Sequence, residues 1–404
     1  MPKLDPNRLE PAYRVIRRFV DARKIPGAVA LVGSSDQMLP PFAYGLTSWE
    51  PDAAPVTADT LYDCASLTKV VVTTTLTLRY VEEGRLHLDE PVARYVPEFL
   101  EGAVLDPPFD VTPFLPGARR AATSPKPARD RGELTAVPQP NALGRVTSRE
   151  VREAVTLRHL LTHTSGLPAW RPLYQAGTSR EELLKALCTT PLEAFPGTRV
   201  CYSCLGFILL GVALERIGGP RLDRLAQEQI FAPLAMADSM FAPPRELRRR
   251  IAPTERVNGR LIHGVVHDEN ARALGGVSGN AGLFATAPDL GRFAQMLLGR
   301  GQGAPRLLSA ASIAAATRNY TAEISPEGRG LGWLLKGKAA SPAGDLFGPG
   351  SFGHTGFTGT SIWIDPAADL FAVLLTNRVY PSRENQAHLD LRPLFHNALA
   401  AALT

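Results

Sequence analysis

Apolar positions near the N-terminus recur every three or four residues over 8–23, which predicts an amphipathic helix. Pro26 interrupts this pattern, and the short apolar run 28–32 that follows is typical of a buried strand. The segment 42–47 has the pattern of its hairpin partner. A longer apolar stretch over 70–83 is followed by a glycine, which predicts a second helix.

The middle of the chain and its end show different patterns. Residues 150–230 have mainly helical spacing, including the apolar stretch 205–217, whereas the end returns to apolar or alternating runs. The glycine-rich segment 278–287 between them predicts a tight connection. The predicted strands of the last part are 330–335, 361–365 and 370–376, with a turn at 366–369 and a closing helix at 392–403.

This order of elements predicts an α+β protein in which strands from both ends form one antiparallel sheet and the middle forms a helical lobe. We expect a sheet lobe from about 1–60 and 270–404 and a helical lobe from about 61–269, with the site in the cleft between them. Residues 103–146 hold eight prolines and few aliphatic residues, which predicts a long surface insertion.

The composition argues against a nucleic-acid-binding protein and against a membrane-spanning protein. The chain has 404 residues, of which 45% are hydrophobic and 21% are charged, and its net charge is +5. It has no Lys/Arg run of nucleic-acid type, so we expect no nucleic-acid partner. It also lacks an apolar segment of membrane-spanning length and the apolar core of a signal peptide, which predicts a cytoplasmic protein without a membrane span.

The four cysteines are too few for a disulfide framework. Cys201 and Cys204 have the C-x-x-C spacing, but a second pair and a histidine cluster that would complete a zinc site are missing from the sequence. We therefore expect neither a metal nor another cofactor.

The candidate chemistry begins at Ser66 and Lys69. A serine and a lysine three positions apart on a helix lie on the same face, so the amine can reach the hydroxyl. A free serine is a poor nucleophile and needs an adjacent base, which a lysine can provide if burial and the helix N-terminus lower its pKa. Alone, this spacing is common in helices by chance.

Four phrases in order strengthen the assignment, because together they resemble one family. They are LYDCASLTKVVVTTT from 61, LRHLLTHTSGLP from 157, FPGTRVCYSCLGFILLGVALE from 195 and GHTGFTGTSIWIDP from 353. They are similar to those of class C β-lactamases, penicillin-binding proteins and family VIII-type esterases, in which S-x-x-K occurs with K-T-G. The resemblance covers about 12–397 except the insertion, and it implies a serine hydrolase that forms an acyl-enzyme on Ser66.

The second motif of that family is Tyr-x-Asn, which reads Tyr202-Ser203-Cys204 here. The resemblance implies that Tyr202 relays a proton between nucleophile and leaving group, and Lys69 and Tyr202 could exchange the role of base. Cys204 stands at the asparagine position of the substrate-binding motif. Because a thiol is a weak donor and acceptor, recognition of an amide carbonyl is in doubt.

The third motif, K-T-G, reads His354-Thr355-Gly356. The resemblance places this strand along the substrate cleft, where Gly356 lets the substrate approach. Its successor Phe357 either shapes the acyl pocket or belongs to the core. The backbone N–H groups of Ser66 and Phe357 are the candidate oxyanion hole. A histidine at position 354 is mostly neutral at pH 7, so it would hold a substrate carboxylate less firmly than lysine.

Two further polar motifs are expected to be structural. The motif from His163 to Gly166 should shape a loop, and His267 and Asp268, which precede the glycine-rich segment, should make polar contacts near the cleft.

The sequence lacks the motifs of other hydrolase classes. The sequence contains neither the G-x-S-x-G of an α/β-hydrolase nor H-E-x-x-H, and its eight histidines are dispersed. A non-catalytic binding protein of the same fold would be expected to lose Ser66, Lys69 or Tyr202, and all three are present. We therefore expect a hydrolase of small esters or amides with esters favoured. β-Lactamase and D-alanyl-D-alanine carboxypeptidase activities remain alternatives.

Overall fold

A computed structural model describes residues 5–103, 147–299, 306–337 and 340–402. The predicted insertion therefore lies outside the described residues, apart from its first position. The α-helices are α1 (Glu10–Asp21), α2 (Thr75–Glu82), α3 (Ser148–Glu153), α4 (Leu157–Leu161), α5 (Arg180–Thr189), α6 (Cys204–Gly218), α7 (Leu222–Ala226), α8 (Glu269–Ala273), α9 (Ala287–Leu298), α10 (Ala310–Ala316) and α11 (His388–Ala401). The π-helical segment Lys69–Thr74 leads directly into α2.

The described strands form three sheets. They are β1 (Gly27–Gly33), β2 (Phe42–Gly45), β3 (Tyr62–Asp63), β4 (Met240–Phe241), β5 (Arg256–Val257), β6 (Arg260–Leu261), β7 (Leu283–Ala285), β8 (Leu334–Leu335), β9 (Phe352–Thr355), β10 (Ser361–Asp365) and β11 (Leu370–Thr376). The largest sheet has six antiparallel strands in the order β2-β1-β11-β10-β9-β8. Strands from the two ends of the chain thus pair with each other, which confirms the predicted α+β fold.

The central strands of this sheet are buried on both faces, because their side chains point alternately into two hydrophobic cores. In β1, Val29 and Leu31 pack into the core that includes α2, α6 and α9, whereas Ala28 and Val32 face the core formed with α1 and α11. Successive side chains of a strand point to opposite faces, so a strand buried on both sides reads as a continuous apolar run. Burying each Val or Leu contributes about 1.5–3 kcal/mol.

Two sequence expectations were wrong in detail. The glycine-rich segment 278–287 is not only a connection, because it contains β7, which pairs with β3 and β4. The segment 330–335 is a strand only at Leu334–Leu335, since the preceding glycines make a turn. Both segments are too short for periodicity to separate strand from turn. The proposed lobe bounds stay a prediction. Among the described helices, none combines the length and apolar character needed to cross a membrane.

Candidate active site

The nucleophile candidate lies in a tight turn between β3 and the helix. Ala65 has a positive φ of 45°, which is uncommon for a residue with a side chain. Two contacts hold it there: its N–H donates to Asp63 Oδ1 at 2.9 Å, and its carbonyl accepts from Thr68 Oγ1 at 2.7 Å. Asp63 in turn belongs to β3, which pairs with β7. The short sheet therefore fixes the direction in which Ser66 enters the cavity.

Lys69 lies directly beside Ser66, as the sequence predicts. Its Nζ donates to Ser66 Oγ at 2.9 Å and to the carbonyl of Asn280 at 2.9 Å, and it is 3.6 Å from Cys204 Sγ. The side chain is fully buried. Within the described part of the chain, no carboxylate forms an ion pair with it. A buried cation that contacts a serine hydroxyl without a counter-charge is an arrangement typical of functional sites.

The expected fall in the pKa of Lys69 is wrong for the free protein. Burial does lower this pKa, but interactions with Cys204 and Tyr202 outweigh it and hold the pKa above its usual value. Burial also raises the pKa of Tyr202, although the neighbouring Lys69 cation and hydrogen bonding with Ser66 and Lys69 oppose this. Both groups therefore keep their protons at neutral pH, and they titrate as a pair.

Tyr202 is held in place by the start of α6 and by His163. Ser203 caps the helix, its Oγ accepting from the N–H of Gly206 at 3.1 Å. The His163 Nδ1 accepts from the N–H of Ser203 at 3.0 Å, and its ring lies 4.5 Å from the Tyr202 ring. The motif that was expected to shape a loop thus also positions the tyrosine.

The end of β9 is bonded to the nucleophile turn. Thr358 Oγ1 donates to the carbonyl of Asp63 at 2.7 Å, and Thr360 Oγ1 donates to that of Cys64 at 3.1 Å. The backbone at Gly356 lies very close to the nucleophile turn. A Cβ on Gly356 would lie 2.6 Å from the Cys64 carbonyl oxygen and 2.1 Å from Thr360 Oγ1. Only glycine fits there, which explains the residue type at this position.

The two candidate oxyanion donors are brought to this junction. Among the described residues, the backbone N–H groups of Ser66 and Phe357 have no hydrogen-bond acceptor. Both residues line the same cavity, so these two N–H groups are available to bind a developing oxyanion.

His354 is a neutral histidine on β9. It is 2% exposed, and its Nδ1 donates to the Thr355 carbonyl at 3.0 Å. Burial, together with the charges of Lys69 and Arg329, holds its pKa well below the usual value. The Nε2 atom has no partner in the described part of the protein. His354 therefore cannot provide the positive charge that lysine has in K-T-G.

A cavity of about 650 Å³ joins these features. All the predicted site residues line it except Lys69, which lies buried behind Ser66. Of those predicted residues, the cavity wall includes Ser66, Tyr202, Cys204, His354, Thr355, Gly356 and Phe357. His267 and Asp268 also line it, so they lie at the cleft as expected.

Sequence reasoning missed several residues of this cavity. Arg329 lies with its guanidinium carbon 5.4 Å from the centre of the Tyr202 ring and pairs with Glu327 at 2.9 Å. Arg392 donates to the carbonyls of Gly356 and Thr360, both at 2.8 Å. Both arginines come from segments without a recognisable motif. Their position at the cavity follows only from contacts in the folded structure, so the sequence could not predict it.

Comparison with known proteins decides the family. The Beta-lactamase family model matches residues 13–395, which is nearly the whole chain. The chain belongs to the Beta-lactamase family. A family relative from Escherichia coli O157:H7, described as a "Putative D-alanyl-D-alanine carboxypeptidase", is 31% identical over 405 residues, covering 92% of this chain and 82% of the relative.

Solved structures confirm the Beta-lactamase family fold. The structure of EstCE1, "a hydrolase with promiscuous acyltransferase activity", matches with a TM-score of 0.70 at 21% identity, covering 96% of this chain and 99% of that one. A class C β-lactamase mutant matches with a TM-score of 0.68 at 19% identity, covering 97% of each chain. Members of this family are serine hydrolases. The resemblance inferred from the motifs is therefore confirmed.

Proposed function

We propose that this protein is a serine hydrolase that forms an acyl-enzyme on Ser66 and hydrolyses small esters. The observation that carries the proposal is the 2.9 Å contact between Lys69 Nζ and Ser66 Oγ. A base within hydrogen-bond distance of a serine hydroxyl is the basic requirement of nucleophilic catalysis. The backbone N–H groups of Ser66 and Phe357, which lack an acceptor among the described residues and belong to the same cavity, are the candidates for the second requirement, which is stabilisation of the oxyanion.

Acylation then uses Lys69 and Tyr202 as one unit. The Ser66 oxygen attacks the carbonyl carbon, its proton passes to the pair, and the same proton is delivered to the departing alcohol oxygen. The reactive form is the one in which the pair has already lost one proton, because a fully protonated pair cannot accept another. The two raised pKa values make this form a minor species at neutral pH.

The ester preference rests on two positions. Cys204 Sγ lies beside Lys69, where the asparagine of the family motif would present an amide to the substrate. His354 is neutral and buried, where lysine would present a charge. An ester requires neither a strong hydrogen bond to a side-chain amide nor a carboxylate partner. Both replacements therefore cost an ester less than they cost a penicillin or a peptide.

A D-alanyl-D-alanine carboxypeptidase activity is the second candidate. It is favoured by the described function of the 31% identical relative from E. coli O157:H7, which this chain matches over 92% of its own length. Arg329, which pairs with Glu327 in the cavity wall, supplies a positive charge that a peptide carboxylate would require.

A three-part hydrolysis screen tests the proposal. The purified protein and its Ser66→Ala variant are incubated with short-chain p-nitrophenyl esters, a chromogenic cephalosporin and D-Ala-D-Ala peptides. We expect the highest kcat/KM for the esters and no turnover by the variant. Efficient turnover of the cephalosporin or the peptides, with the esters untouched, would contradict the ester assignment. Equal turnover by Ser66→Ala would contradict the mechanism.

A further inference from the structure

A second group suited to proton transfer lies in the cavity, and the mechanism above does not use it. His267 Nε2 is 3.0 Å from Glu255 Oε2, and both side chains are buried. A carboxylate can only accept a hydrogen bond, so Nε2 carries the proton and donates it to Glu255. This leaves Nδ1 as the basic nitrogen of the ring. Among the described residues Nδ1 has no hydrogen-bond partner, and His267 lines the cavity that also contains Ser66.

Glu255 is fixed as an anion. Arg383 donates from Nε to both carboxylate oxygens at 2.9 and 2.8 Å, and its other guanidinium nitrogen also reaches Glu269 at 2.7 Å. Burial raises the pKa of Glu255, but the hydrogen bonds with Arg383 and His267 outweigh it and lower the pKa to about 2. A histidine oriented by an ionised carboxylate has a defined tautomer, which is the arrangement that serine hydrolases of other folds use for proton transfer.

The same histidine is tied to the nucleophile turn. Its backbone N–H donates to Asp63 Oδ2 at 2.7 Å, while Oδ1 of the same carboxylate accepts from Ala65, the residue before Ser66. The His267 ring stacks on Phe357 at 5.6 Å, and the backbone N–H of Phe357 is a candidate oxyanion donor. Ser66 and His267 line one cavity. His267 is thus positioned by the elements that position the reacting groups.

Hydrolysis of an acyl-enzyme needs a base for water. The pair of Lys69 and Tyr202 must return one proton to Ser66 Oγ when the acyl group leaves. A separate imidazole nitrogen on a residue of the cavity wall would allow one group to take a proton while the pair gives one.

We propose that His267, oriented by Glu255, accepts the proton of the water that hydrolyses the acyl group on Ser66. This inference rests on the proposed function. The water oxygen bonds to the acyl carbon while one water proton moves to Nδ1 of His267. The bond between that carbon and Ser66 Oγ then breaks, and Oγ takes a proton from the pair of Lys69 and Tyr202. The product leaves as a carboxylic acid, His267 releases its proton to solvent, and the pair regains one from solvent.

The test separates the two half-reactions in the His267→Gln variant. Glutamine keeps the size of the side chain and can still donate to Glu255, but it offers no basic nitrogen. Acylation is measured as rapid release of p-nitrophenol from p-nitrophenyl acetate. Deacylation is measured by mass spectrometry as loss of the acetyl group after excess ester is removed. We expect acylation within about twofold of the parent and deacylation slower by about a hundredfold, the usual scale for a positioned base.

Two further variants keep the result interpretable. His263→Gln removes a half-buried histidine of the same segment whose Nε2 contacts the backbone carbonyls of Arg248 and Ile251, and we expect neither rate to change. In His267→Ala, added imidazole should accelerate deacylation and leave acylation unchanged, which a structural role of the histidine would not produce.

The outcomes are distinct. Deacylation at the parent rate in His267→Gln overturns the inference, and so does an equal fall in both rates. If the parent protein never carries an acetyl group on Ser66, the proposed function itself is overturned, and the inference falls with it. Slow deacylation with intact acylation, together with rescue by imidazole, supports both.

Discussion

The two sides of the cavity balance their charges in different ways. On one side, Lys69 is buried against Ser66 Oγ, a backbone carbonyl and a thiol, with no carboxylate paired to it in the described part of the chain. On the other side, Glu255 is paired with Arg383 and hydrogen-bonded to His267. The first side holds a charge that the fold does not neutralise, and the second holds charges that neutralise each other.

This difference suits one side of the cavity to chemistry and the other to holding side chains in a fixed position. A buried charge without a partner is costly for folding, so its position beside a nucleophile points to chemistry rather than to stability. A network with several charge-assisted hydrogen bonds fixes side chains in one geometry. In the proposed mechanism, protons therefore move during acylation on the side of Lys69, which we call the unpaired side. The side of Glu255, which we call the paired side, holds His267 in place.

The largest effect is expected where the two sides join, at Gly356. In Gly356→Ala the added Cβ would collide with the Cys64 carbonyl oxygen and with Thr360 Oγ1, so the Phe357 N–H should leave its position. Losing one oxyanion donor costs about a hundredfold to a thousandfold in kcat. Gly350→Ala is the matched control, because nothing lies within 4 Å of a Cβ there. Ester kinetics of both variants check this, and parent-like kcat in Gly356→Ala would contradict it.

The unpaired side is tested by Lys69→Ala, Tyr202→Phe and the double variant. Each should lower the acylation rate by at least about a hundredfold, the usual scale for a positioned acid or base. Because the two groups act as a unit, the double loss should fall well short of the product of the single losses. Stopped-flow acylation rates decide this. A Lys69→Ala enzyme that acylates at the parent rate would show that the serine–lysine contact has no role.

The raised pKa values of Lys69 and Tyr202 predict how the acylation rate changes with pH. The pair must lose one proton before it can accept that of Ser66, and both pKa values lie above their usual range. The acylation rate should therefore rise with pH, by up to about tenfold per unit below the first pKa of the pair. Acylation measured between pH 6 and 9 checks the sign. A rate that falls as the pH rises would contradict the account.

Substrate preference should shift when the family residues are restored. We expect Cys204→Asn with His354→Lys to raise the ratio of cephalosporin to ester kcat/KM by about tenfold, the value of one hydrogen bond to a charged group. Cys188→Ser, which changes a buried thiol that is not part of the cavity lining, should leave the ratio unchanged. An unchanged ratio in the double variant would mean that these positions do not set the preference.

The network around Glu255 on the paired side should contribute to the free energy of unfolding. The pKa of Glu255 is lowered to about 2, so its stabilising contribution is complete above the unfolded-state pKa of about 4.3 and is lost as pH falls through 2. Glu255→Gln should reduce the free energy of unfolding by about 1–2 kcal/mol at pH 7, after allowance for solvent screening. The difference from the parent should shrink between pH 5 and pH 2. Urea denaturation at several pH values measures it, and a difference that grows at low pH would contradict the sign.

Much of the fold could be predicted from the sequence because its strands are buried on both faces. The segments 28–32, 361–365 and 370–376 are mostly apolar, and they lie within β1, β10 and β11. Short elements were the exception. The two-residue strand β8 and the three-residue strand β7 are defined by their partners rather than by their own pattern.

The candidate site divides in the same way. Ser66 and Lys69 could be named in advance because their spacing on a helix brings them together, and Tyr202 because its motif resembles that of the family. Arg329 and Glu255 could not, because their roles arise from side chains that meet across the fold. The pKa direction of Lys69 was also beyond prediction, since it depends on Cys204 and Tyr202, which are more than a hundred residues away in sequence.

The most direct test of the central claim is to locate the acyl group. The protein is mixed with p-nitrophenyl acetate, quenched with acid during turnover and digested, and the peptides are sequenced by mass spectrometry. The account predicts an acetyl group on Ser66 that is missing from Ser66→Ala. An acetyl group that persists at the same level in the alanine variant, or that lies on Cys204 in the parent protein, would contradict it.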